Sequence, residues 1–136
     1  MAEPAVDTWP RPAARILVAD DNALSAELMQ DQLESHGYVV DYAADGARAL
    51  TMAASGAYQV LLLDVNMPVY DGVEVVRRLH EQSPATPVKV IVVTADRFAT
   101  RHAELSRRGI DGYMTKPVDF DRLNNEISRL LALDHA

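Results

Sequence analysis

The chain has 136 residues, 49% hydrophobic and 24% charged, with 13 basic against 20 acidic side chains and a formal net charge of −7. That length fits one domain able to bury a core, and the acidic balance argues against nucleic acid, whose phosphates need positive charge to displace their counterions. The absence of cysteine excludes disulfides, thiolate nucleophiles and Cys-zinc sites and is compatible with a reducing cytosol, so a cytoplasmic protein is expected; no apolar run reaches the roughly 18–20 residues of a membrane span.

The opening MAEPAVDTWPRPAA holds three prolines, two acids and no apolar core. It reads as a flexible tail over residues 1–14 and not as a signal peptide. RILVAD (Arg15–Asp20) is a compact apolar strand ending in acid. Ala23 to His36 suits a helix with Leu24, Leu28 and Leu33 near one face and Gly37 as its stop. Tyr38–Ala43 is a second strand, Asp45-Gly46 a turn, and Ala47–Ser55 a second helix. YQVLLLD (Tyr58–Asp64) is the third strand. Gly72–Gln82 forms an amphipathic helix carrying Val73, Val76 and Leu79, closed by the break PATP. VKVIVVTA (Val88–Ala95) is the most β-branched segment. Phe98–Arg108 is helical and stops at Gly109, and Gly112–Lys116 is a short fifth strand. The last helix, from about Asp119 to Leu133, places Phe120, Leu123, Ile127, Leu130 and Leu131 on one stripe, leaving residues 134–136 as a tail.

Five strands alternating with five helices imply βαβ units, whose right-handed crossovers build a parallel sheet covered on both faces. Continuously apolar runs such as LLL and VIVV agree, because a half-solvated antiparallel sheet would alternate. The expected fold is a doubly wound α/β sandwich. In such sheets ligands bind beyond the carboxyl ends of the strands. Strand one ends in Asp20-Asp21, strand three in Asp64, strand four in Thr94 and strand five in Lys116; strand two ends blandly in Ala43-Ala44.

Each residue alone has an ordinary role. Asp20 or Asp21 suits a helix N-cap, Asp64 a strand end, Thr94 β-branched filler and Lys116 a solvated surface. Together they do not. Three carboxylates at one edge repel, and burial disfavours their charge further, unless a cation is present. Carboxylates plus a backbone carbonyl suit Mg²⁺, which keeps several waters, better than a caged Ca²⁺. There is no GxxxxGK[ST] loop and no HExxH, and none of the four histidines has ligand spacing. An aspartate beside Mg²⁺, a lysine and a hydroxyl is what phosphoryl transfer to a carboxylate wants, with metal and ammonium neutralising the phosphoryl oxygens.

ILVADDN, LLLDVNMPVYDG, VVTA and GYMTKP, in that order and spacing, resemble the receiver domain of bacterial two-component response regulators over residues 15–133. The resemblance implies that Asp64 is the phosphoacceptor. Asp21 and Asp64 would bind Mg²⁺ directly, with Mn²⁺ as a substitute, the Asn66 carbonyl would add a ligand, and Asp20 would act through water. Lys116 would pair with the phosphoryl group, Thr94 would reorient toward it, and Tyr113 would be the aromatic switch residue. Asn66 and Asp96 would tune dephosphorylation. The resemblance also implies a cis Lys116-Pro117 bond and the flavodoxin-like strand order 2-1-3-4-5 known of chemotaxis receivers. The implied donor is a histidine kinase or histidine phosphotransfer protein, and the implied output a protein effector on the face of helix four, strand five and helix five, with neither nucleic acid nor membrane as partner. Such a domain is a signalling switch and not an enzyme.

Met67-Pro68 would stiffen the loop after the acceptor, and Gly72 would permit the turn into the next helix. A haloacid-dehalogenase-type phosphatase also places an Asp at a strand end with Mg²⁺, but wants a second acid where Asn66 stands. An EF-hand reading fails because Val69 occupies the position that needs Gly. Within the family, a stand-alone single-domain regulator is expected, the alternative being a receiver from a hybrid sensor histidine kinase or phosphorelay protein.

Overall fold

The computed structural model describes residues 14–82, 88–95 and 99–134. Among them, strands and helices alternate as β1 (Arg15–Ala19), α1 (Ala23–Glu34), β2 (Val39–Ala43), α2 (Gly46–Ala54), β3 (Val60–Leu63), α3 (Gly72–Gln82), β4 (Lys89–Thr94), α4 (Ala99–Arg107), β5 (Gly112–Thr115) and α5 (Phe120–Asp134). All four pairings are parallel and the order is β2-β1-β3-β4-β5, as expected.

The central stretches of β1, β3 and β4 are continuously apolar because both faces are covered, and the two-residue period deals their side chains to two cores. Leu17, Ala19, Leu61, Leu63, Val90 and Val92 pack with residues of α2, α3 and α4 such as Leu50, Val76 and Leu105. Ile16, Val18, Val60, Leu62, Ile91 and Val93 pack with Ala26, Met29 and Leu33 of α1 and Leu123, Ile127 and Leu130 of α5. Burying each of these large side chains contributes about 1.5–3 kcal/mol. Together they make the strand ends a fixed platform.

Register decides what meets at the rim. Ala19 lies beside Leu63, so the residues that follow, Asp20 and Asp64, emerge as neighbours. At the opposite end Arg15 braces the sheet edge. It reaches Asp41 at 3.1 Å, which also accepts a 2.5 Å hydrogen bond from the Tyr58 hydroxyl.

Several local expectations need correction. On α1 the buried residues are Ala26, Met29 and Leu33, while Leu24 and Leu28 are 68% and 53% exposed. The helix presents Ala26, Met29 and Leu33 to the sheet and leaves Leu24 and Leu28 outward. The regular helix ends at Glu34 rather than His36, but Gly37 closes it as expected: at φ +92° its N–H donates to the Glu34 carbonyl at 2.9 Å and the Tyr38 N–H to the Leu33 carbonyl at 3.3 Å. The N-cap of α1 is Asn22, whose side chain accepts from the Ser25 N–H, and neither Asp20 nor Asp21. Asp45 is not part of a free turn: it N-caps α2, which begins at Gly46. Gly72 is the first residue of α3, and no positive φ marks it. Glycine is needed there for space, since a Cβ would lie 2.8 Å from the Val65 Cα. The left-handed residue in this loop is Val69, at φ 70°. Ala14, assigned to the tail, gives its carbonyl to the Val39 N–H, and Asp134 is the last residue of α5. Residues 1–13, the PATP break, Asp96, Phe98 and residues 135–136 lie outside the described residues.

Candidate functional site

Asp20, Asp64 and Lys116 stand just past a strand end with their backbones still fastened to the neighbouring strand. The Asp64 N–H donates to the Ala19 carbonyl at 3.0 Å, Asp20 to Ala43 at 3.2 Å and Lys116 to Thr94 at 2.9 Å. The hydrogen-bond ladder therefore aims these side chains from both sides. The two acids also fold back on their own chain. Asp20 Oδ1 accepts from the Asn22 N–H at 2.9 Å, and Asp64 Oδ1 from the Asn66 N–H at 3.0 Å.

The side chains converge on Asp64. The Thr94 hydroxyl donates to Asp64 Oδ1 at 2.9 Å. Lys116 Nζ donates to Asp64 Oδ2 at 3.0 Å and to Asp20 Oδ2 at 2.6 Å. Asp20, Asp64 and Thr94 are almost wholly buried, whereas Asp21 and Asn66 are exposed. Oxygens of Asp20, Asp21 and Asp64 lie within 4.8 Å of one another. Burial works against the charged form of Lys116, but its hydrogen bonds to Asp20 and Asp64 and their negative charge outweigh that, and its pKa lies above the usual lysine value. The ammonium is a permanent internal counter-ion.

This donor set fits a hard divalent cation. Three carboxylates converge, two from the buried side and one from the solvent side, which leaves coordination positions for water in the way Mg²⁺ prefers. The Asn66 backbone follows Asp64 by two residues on the loop bordering this cluster.

The sequence places Asp20, Asp21, Asp64, Thr94 and Lys116 at one rim, and the structure brings them together there. Thr94, expected to reorient toward a phosphoryl group, stands with its hydroxyl already donating to Asp64. Tyr113 is partly buried and packs against the core on the α2–α4 side of the sheet. Lys116-Pro117 is cis.

One neighbour was not legible in the strand ends. Tyr42, one residue before the end of β2, has its phenol pushed up in pKa by burial first and then by the charges of Asp20 and Asp21. Strand two is thus not bland at the rim. The signal lay one position earlier, in the aromatic before Ala43.

Fold and rim together define a flavodoxin-like sandwich with a carboxylate, hydroxyl and lysine pocket at its strand ends. A family model described as the response regulator receiver domain matches residues 16–128, and the chain belongs to that family. It is 36% identical over 120 residues to Sensor protein EvgS of Escherichia coli, covering 88% of this chain and 10% of that protein. It is 37% identical over 121 residues to Response regulator MprA of Mycobacterium ulcerans, covering 89% of this chain and 50% of that protein. The chain therefore spans half or less of these relatives, which include both sensor kinases and regulators.

Among solved structures, a CheY-like receiver domain protein from Methanospirillum hungatei superposes with a TM-score of 0.84 at 27% identity, covering 91% of this chain and 98% of that one. The receiver domain of sensor histidine kinase PA1611 from Pseudomonas aeruginosa, described with magnesium in its active-site cleft, gives 0.80 at 27% identity, covering 89% and 99%. No helix among the described residues is long and apolar enough to cross a membrane.

Proposed function

We propose that this domain is a phosphorylation switch in which Asp64 takes a phosphoryl group from a phosphohistidine. The observation that carries the reading is the convergence on Asp64 of Thr94, Lys116 and two further carboxylates. Asp20, Asp21, Asp64 and the Asn66 carbonyl would hold Mg²⁺, or Mn²⁺ in its place, which supplies charge neutralisation on the phosphoryl oxygens. An Asp64 carboxylate oxygen forms a bond to phosphorus, the phosphorus–nitrogen bond of the donor breaks, and the imidazole leaves with its electron pair. Lys116 then turns from the carboxylates to the phosphoryl group, and Thr94 donates to a phosphoryl oxygen.

The donor is a histidine kinase or a histidine phosphotransfer protein. Support comes from a groove of about 330 Å³ lined by Leu24, Leu28, Met29, Val118 and Phe120 that also includes Lys116. Its exposed leucines offer apolar contact beside the acceptor. Output runs through the α4-β5-α5 face, where Tyr113 follows the movement of Thr94. Moving a population from 1:99 to 99:1 takes about 5.5 kcal/mol, and charge-assisted hydrogen bonds to a phosphoryl group supply much of it. Slow hydrolysis resets the switch, with Asn66 and Asp96 tuning its rate. The phosphatase reading from another class is not favoured, because the position two residues after Asp64 is Asn66.

Intact-mass measurement after incubation with a small phosphodonor and Mg²⁺ tests this. The expected product is heavier by about 80 Da, one phosphoryl group, and forms neither with EDTA nor in Asp64→Asn. A wild-type protein that gains no mass overturns the proposal.

A further inference from the structure

The loop from Asn66 to Asp71 joins the acceptor strand to α3, and its contacts run to elements remote from the acid cluster. The Gly46 N–H, at the first position of α2, donates to the Pro68 carbonyl at 3.0 Å. The two backbones are pressed so close that a Cβ on Gly46 would sit 1.8 Å from the Tyr70 carbonyl oxygen and 2.8 Å from the Tyr70 Cβ. From the other side, the Arg78 guanidinium lies 4.2 Å over the Tyr70 ring and is itself held by Glu74 at 2.6 Å. At the loop's far end the Gly72 N–H donates to the Val65 carbonyl at 2.8 Å. Within this clamp Val69 holds a left-handed φ of 70°, a conformation that persists in a β-branched residue only when the surroundings over-determine it.

From this geometry we infer that Gly46 of α2 and Arg78 of α3 are positioning residues for the metal-binding loop, fixing where the Asn66 backbone stands relative to Asp64. The inference rests on the reading of Asp64 and Asn66 given above. Neither residue touches the acid cluster. They act through Pro68 and Tyr70, which lie two and four residues beyond Asn66. A methyl group at position 46 meets backbone and not a pliable side-chain tip, so the Tyr70 carbonyl has to retreat by roughly 1.2 Å to reach even 3.0 Å. A displacement of about 1 Å in a positioning element can cost on the order of a hundredfold in function. Here the loss is expected in metal affinity and not in the chemistry of Asp64 itself, which β3 and the Ala19 carbonyl continue to hold.

The test compares wild type with Gly46→Ala, Arg78→Ala and Leu130→Ala, the last a core truncation on the opposite face of the sheet. Calorimetric Mg²⁺ titration of the unphosphorylated proteins is expected to show affinity weakened at least about tenfold in Gly46→Ala and about threefold in Arg78→Ala, with no change in Leu130→Ala. The Asn66 amide resonance, which reports its hydrogen bond to Asp64, shifts in the first two and stays in place in the third. Phosphorylation by a small donor recovers in Gly46→Ala at saturating Mg²⁺. If Gly46→Ala does not fold, Arg78→Ala decides, since its side chain is on the surface. Wild-type affinity and an unmoved Asn66 amide in the folded variants overturn the inference. Absence of a phosphoryl adduct on wild type, with these Mg²⁺ differences intact, overturns instead the assignment of Asp64 as acceptor.

Discussion

Lys116→Met keeps the length of the side chain and removes its charge. The Nζ it replaces bridges Asp20 at 2.6 Å and Asp64 at 3.0 Å, and the lysine side chain is 20% exposed against 4% and 9% for the two aspartates. A hydrogen bond to a charged group contributes about 1.5–3 kcal/mol. Stripping one partner from a buried ion pair costs about 3–5 kcal/mol, because uncompensated charge stays behind. Partial solvent access at the rim, through the exposed Asp21, pulls the loss in metal-free buffer toward about 3 kcal/mol, which lowers Tm by roughly 10 °C for a domain of this size. Mg²⁺ offsets the same repulsion. A ligand at a hundred times its Kd adds about 2.7 kcal/mol, and the variant gains more than wild type, whose ammonium competes for the same oxygens. Thermal unfolding in EDTA and in Mg²⁺, followed by circular dichroism, measures both effects. A variant within about 0.5 kcal/mol of wild type in EDTA, or equal Mg²⁺ increments for the two proteins, would show that the lysine is not the internal counter-ion described.

Three further outcomes follow from the same geometry. The Glu74 carboxyl is lowered to about 2 by hydrogen bonds from Arg77 and then Arg78, so its contribution is complete above the ordinary carboxylate value and disappears as pH falls through about 2; carbon-detected NMR titration should place its midpoint there, and a midpoint near 4.5 contradicts the network. Val69→Gly relieves a left-handed β-branched residue and is expected to raise stability by about 1 kcal/mol after the added freedom of the unfolded chain is counted, read from the urea midpoint; a drop means the loop is not strained. Leu24→Ser and Leu28→Ser alter exposed side chains and should leave stability within about 0.5 kcal/mol, yet slow transfer from a phosphohistidine donor by about tenfold while small-donor phosphorylation is unchanged; equal slowing of both reactions removes the groove from donor recognition.

The sandwich and most of its rim were readable because buried parallel strands advertise themselves. LLL and VIVV have no polar side to hide, and the polar residue that ends each run must surface at the carboxyl edge. Asp20, Asp21, Asp64, Thr94 and Lys116 meet for that reason. Misreadings arose where spacing is silent about direction. Leu24 and Leu28 satisfy helical periodicity on either face of α1. What decided the outcome was the fit of Ala26 and Met29 against the sheet, a matter of volume that periodicity does not carry. The N-cap role set aside for Asp20 and Asp21 does fall to another residue, Asn22. The clamp on the acceptor loop was hidden for a different reason. It depends on the approach of α2 to the Tyr70 carbonyl, and a glycine beside an N-cap aspartate looks like any turn until that carbonyl is in place. The cis Lys116-Pro117 bond was available only through family resemblance, since no local rule distinguishes it from an ordinary trans proline.

The central claim is that Asp64 carries the phosphoryl group. Peptide mapping of the protein after treatment with a small phosphodonor and Mg²⁺ tests it most directly. The expected result is a single modified peptide containing Val60 to Gly72, heavier by about 80 Da, labile to hydroxylamine as an acyl phosphate must be, and absent from Asp64→Asn. A stable modification on a hydroxyl or histidine side chain, or an adduct that persists in Asp64→Asn, would contradict the account.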